Sequence, residues 1–91
     1  MAHSVSLSWT ASSDTVDGYN IYRGTAAGQE TTKVNTALVT ADTFTDTTAP
    51  VGDSFYVARS VIGGVESVNS NEVSAVILPA PPTNLAVTAI S

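Results

Sequence analysis

"FYVARSVIGGVES", Phe55 to Ser67, decides the fold. Phe55–Ile62 is rich in aromatic and β-branched side chains, which suit a pleated surface better than a helix. No 3.6-residue apolar period runs through it, so it reads as the longest strand of the chain. Period two turns Tyr56 inward and leaves Phe55, Val57 and Val61 on the opposite face. Gly63-Gly64 then supplies two residues free to take positive φ, as a tight hairpin requires. "GGVES" and "NSN" flank that hairpin, and "EVSAVIL" closes it with Val73, Ala75 and Ile77 on one face.

The same alternation recurs upstream. In "VSLSWT" Val5, Leu7 and Trp9 alternate with Ser6, Ser8 and Thr10, the pattern of a half-buried strand. Trp9 is the sole tryptophan, and we place it at the centre of the core. "YNIYRG" puts Tyr19 and Ile21 on one face, Asn20 and Tyr22 on the other. "KVN" reads as a short strand around Val34. Leu38 or Val39 plugs the core from "TALVTA", and Phe44 points inward from "DTFTDT". The loops between carry Gly, Pro, Ser and Asp. Six strands at spacings of about 8–12 residues predict an all-β, two-sheet sandwich.

Composition narrows the function. The chain has 91 residues, enough for one domain, and 43% of them are hydrophobic. Three basic residues against eight acidic ones give a net charge of -5, so nucleic acid and a polybasic membrane contact are poor partners. No apolar run approaches the roughly 20 residues that would insert as a helix in a membrane. There is no cysteine and a single histidine, His3, so neither a Ser-His-Asp triad with a positioned base nor a His-Cys zinc set can be assembled. We expect no catalytic residues, no metal site and no cofactor. Asp14 and Asp17 share a loop and Asp42 and Asp46 flank Phe44; two carboxylates each are too few for calcium, so we read them as solvated. "MAHSVSLSW" enters a strand at once, without the form of a signal peptide, and Met1 with Ala2-His3 reads as residues added upstream.

Taken in order, "VSLSWTAS", "VDGYNIYRG", "TFTDTT", "FYVARSVIGGVES" and "SNEVSAVIL" resemble strands B, C, E, F and G of a fibronectin type III domain over residues 4 to 78. The low Lys/Arg content and abundant Thr, Ser and Ala are similar to the bacterial branch of that family. The resemblance implies an immunoglobulin-like sandwich in which sheet A-B-E packs on sheet C′-C-F-G. Trp9, Tyr19, Ile21, Phe44, Tyr56 and Val73 would make its core. It implies a non-catalytic spacer and interaction module of a secreted or cell-surface multidomain protein, with neighbouring domains of the same parent as partners. Two departures stand out. The tyrosine expected near the start of strand F is replaced around Ser54-Phe55, and only four residues precede Val5, so strand A is missing.

Residues 1–78 therefore read as the domain, and 79–91 as a proline-rich linker followed by the strand-A-like start of a further repeat, "PPTNLAVTAIS". Leu85, Val87 and Ala89 alternate there with Ala86, Thr88 and Ile90. We expect residues 84–90 to pair with strand B of another copy, as a two-fold homodimer or a head-to-tail assembly. The second functional candidate is a carbohydrate-binding module. Tyr22, Phe55, Val57 and Val61 would be its outward contact face toward a polysaccharide, with Asn20 and Arg59 beside them.

Overall fold

The computed structural model describes residues 3–90; Met1 and Ala2, read above as added residues, and Ser91 lie outside the described residues. Its strands in chain order are β1 (His3–Ser8), β2 (Gly18–Gly24), β3 (Thr32–Lys33), β4 (Thr43–Ala49), β5 (Gly52–Ile62), β6 (Val65–Glu66) and β7 (Val73–Ile77). All pairings are antiparallel. One sheet is β1-β4. The other runs β3-β2-β5, with β6 and β7 sharing the far edge of β5. Among the described residues no helix is long and apolar enough to cross a membrane.

The inner faces of the two sheets meet as the alternation predicts. Tyr19, Ile21 and Tyr56 from β2 and β5 are buried, and Val5, Leu7, Trp9 and Phe44 pack on them from the β1-β4 side. The Gly63-Gly64 turn has φ of 57° and 80°, the left-handed pair that a two-residue hairpin needs. Of the two candidates for the plug, Val39 packs on the core and bridges Tyr19, while Leu38 is exposed. Val34 donates its N–H to the Ile21 carbonyl at 2.9 Å. Asn35 then continues that edge with its side chain, accepting the Ile21 N–H at 2.8 Å.

Several expectations need correction. Trp9 is half-buried, not central, and Val73 is 45% exposed although it shares the inward face of Ala75 and Ile77. Both lie along the free edge of β1, where no third strand covers the core. Asp46 is not solvated: its side chain is 1% exposed. It sits opposite Val5 on the inner side of β4, where alternation buries it. Strand β5 begins at Gly52, so Ser54 and Tyr56 face inward and Phe55 lies between them. The closing strand is split as well. Ser67 and Ser70 set their hydroxyls against the Ser60 and Ala58 N–H groups at 3.0 and 2.9 Å, in place of ladder carbonyls.

Beyond β7 the chain leaves the sandwich. Residues 78–90 belong to no strand, and the principal extents are 70 × 23 × 20 Å. Asn84 has a φ of 58°, a left-handed step that asparagine tolerates better than most residues.

Candidate functional site

The free edge of β1 and the Ser67–Val73 segment face each other across an open cleft. Leu7, Ile21, Tyr56 and Val73 line a pocket of about 70 Å³ at one end. A wider space of about 450 Å³ continues past Trp9 and Tyr19, bordered by Ser60, Ser67, Ser70 and Asn71. Trp9 belongs to both and meets the Tyr19 ring edge-on, with centroids 5.3 Å apart at 66°. Its buried indole N–H has no acceptor among the described residues. Asp, Glu, Lys and Arg are all absent from the lining. An apolar floor with a hydroxyl rim suits an extended backbone or another neutral ligand and offers nothing to a charged one.

At one end of the interior a polar cluster ties the sheets together. Asp46 accepts from Arg23 Nη1 at 2.7 Å, Tyr56 Oη at 2.7 Å, the Thr48 N–H at 2.9 Å and the Thr48 hydroxyl at 2.7 Å. Burial opposes its charge, but the Thr48 hydroxyl, Tyr56, the Thr48 amide and Arg23 outweigh it and hold the carboxyl at about 2. Burial, then the bond to Asp46, pushes the Tyr56 hydroxyl up to about 12. One carboxylate oxygen, Oδ2, holds β4 to β2 and β5, and Oδ1 is taken by Thr48 of the same strand.

The outer face of β2 and β5 differs from the expected contact patch. Val57 and Val61 have the predicted parity but are 4% and 5% exposed, and Tyr22 and Phe55 are half-buried. The Arg59 guanidinium covers the Tyr22 ring 4.5 Å from its centroid. The Tyr22 hydroxyl and Asn20 Nδ2 donate to Glu66 Oε2 at 2.6 and 2.8 Å, and Arg59 Nη1 reaches Glu66 Oε1 at 3.1 Å. Those donors, Tyr22 first, hold the Glu66 carboxyl at about 2, and the same bond raises the Tyr22 hydroxyl above its ordinary value. Tyr22, Asn20 and Arg59 are brought together in a closed cluster around Glu66, while Phe55, opposite Gly24, stands at the other end of the β2–β5 pairing.

Glu30, buried at 7% exposure, lies against Glu72, which also accepts the Gly28 N–H at 2.8 Å. Glu72 beside it, and then burial, raises the Glu30 carboxyl above its ordinary value, while Glu72 is lowered. Among the described residues no group of three or more His, Cys, Asp or Glu stands close enough to hold a metal ion. His3, the one histidine, is the first residue of β1, opposite Ala49. In the tail, Leu85 and Val87 are 94% and 78% exposed, and Ala89 is exposed with them.

Comparison with protein-family models, with curated proteins and with solved structures gives no significant match for this chain.

Proposed function

We propose that the chain is a non-catalytic β-sandwich module of the fibronectin type III kind, serving as spacer and interaction domain in a secreted or surface bacterial multidomain protein. The observation that carries this is the strand order. The order β3-β2-β5, with β6 and β7 on the far edge of β5, and the pair β1-β4 support the reading as C′-C-F-G and B-E. The interior chemistry supports it too: the one buried ion pair, Arg23–Asp46 among the described residues, is saturated by its neighbours and joins the two sheets. A glycan and ester panel incubated with the 91-residue chain tests the proposal; no turnover is expected, and hydrolysis of any member overturns it.

Saccharide binding on the outer face has less in its favour, because Arg59 already occupies a face of Tyr22. Affinity electrophoresis in cellulose, chitin and xylan separates the two. Retardation that Tyr22→Ala abolishes would favour the saccharide function.

A further inference from the structure

We infer that the cleft beside β1 is a strand-acceptor site, and that its occupant is the 84–90 segment of a second copy of this chain. The inference rests on the module proposal only in requiring the folded sandwich. Four observations carry it. First, β1 is paired on one side alone, so its other edge presents backbone N–H and C=O groups to a further strand. Second, the side chains a covering strand would bury are the inward ones left half-open along that edge: Leu7 and Trp9 of the β1 segment and Val73 of β7. Third, the tail carries the complement, Leu85, Val87 and Ala89 on one face at period two, all exposed. Fourth, the charges agree. In a chain of net charge -5, no Asp, Glu, Lys or Arg lines the cleft and none occurs from Val73 to Ser91.

The geometry favours a second copy over the chain's own tail. β7 ends with Ile77 opposite Gly52, at the end of the sandwich where β1 begins with His3 opposite Ala49. A strand antiparallel to β1 starts at the other end, beside Trp9. Residues 79–83 span at most about 17 Å fully extended. They would have to double back along the roughly 20 Å of β1 and also cross the ~10 Å between sheets. Pro79, Pro81 and Pro82 favour an extended course instead. Two copies lying antiparallel place the tail of each at the open end of the other's cleft, and the exchange closes as a two-fold dimer.

Sedimentation equilibrium of the full chain against Leu85→Asp/Val87→Asp tests this, with amide exchange of β1 and Trp9 emission read on the same samples. Both substituted residues are exposed in the protomer, so the variant keeps the fold, and matching circular dichroism checks that it does. We expect the parent to approach twice its monomer mass as concentration rises, with slower β1 exchange and shifted Trp9 emission. The variant should associate at least about tenfold more weakly, since two buried charges cost more than the 1.4 kcal/mol equivalent of that factor. A parent that stays monomeric, with β1 protected or not, overturns the inference. So does association equal in parent and variant, or association that leaves β1 and Trp9 unchanged. None of these results touches the module proposal, which falls only to turnover in the glycan and ester panel.

Discussion

Asp46 shows how much one side chain can hold. It joins β4 to Arg23 on β2 and to Tyr56 on β5, and its second oxygen is taken by Thr48. Removing it leaves a guanidinium that is 17% exposed with the Thr48 hydroxyl as its remaining partner, and a buried phenol that has lost its acceptor. Asp46→Ala should therefore cost about 3 kcal/mol, the low end for breaking a buried pair, read as a lower midpoint in urea. Composition pointed the other way, because an acid between threonines looks solvated; the strand's parity was the better guide. Glu30 behaves differently. Glu72 and burial raise its carboxyl, and a raised carboxyl stabilises the fold only while protonated, so its contribution fades as pH rises through its folded value. An amide donates at every pH. Glu30→Gln should gain on the parent in melting temperature as pH rises, with the gap smallest below about pH 4, where even a free glutamate is protonated. A gap that stays the same from low to high pH would show that the fold does not raise Glu30.

At the scale of elements, period two was enough for β1, β2 and β5, and Gly63-Gly64 was enough for the turn. A built Cβ at either glycine meets nothing within 4 Å, so a side chain there strains only the left-handed backbone. Gly63→Ala/Gly64→Ala should cost about 1 kcal/mol at each position, measured from the denaturation midpoint. An unchanged midpoint would mean the hairpin can close in another conformation. The split of the last strand into β6 and β7 was not legible, because serine hydroxyls substitute for ladder carbonyls at Ser67 and Ser70 and hydropathy does not encode that choice. The outer face was half legible for the same reason. Alternation placed Tyr22, Val57 and Val61 on one side, but Glu66 reaches Asn20, Tyr22 and Arg59 only because β6 returns beside the end of β5. The cleft follows from the edge of β1 that pairs with no strand among the described residues. Its hydroxyl border, which includes Ser67 and Ser70, depends on the split and could not be expected from the sequence.

For the whole molecule, the charge imbalance and the few ion pairs act together. The chain has three basic residues, and both arginines are committed, Arg23 to Asp46 and Arg59 to Glu66. Two carboxyls thus have folded values of about 2, below their ordinary 3.8 and 4.5. A depressed carboxyl stabilises the fold fully above its unfolded value, and that contribution is lost as pH falls through the folded one. Both effects have the same sign and the same window, so stability should hold to about pH 4–5 and decline from there to about pH 2. For Asp46 alone the shift corresponds to about 2 kcal/mol. A domain of this size has roughly 5–10 kcal/mol in all, so the loss is large enough to appear as a fall in melting temperature of several degrees or more. Asp46→Asn separates this from general acid damage. The amide is neutral at every pH, so the variant should melt lower than the parent near pH 6 and lose less between about pH 5 and pH 2. If parent and variant fall in parallel across that window, the acid sensitivity belongs to other groups, and the cross-sheet cluster contributes geometry to the fold but not charge.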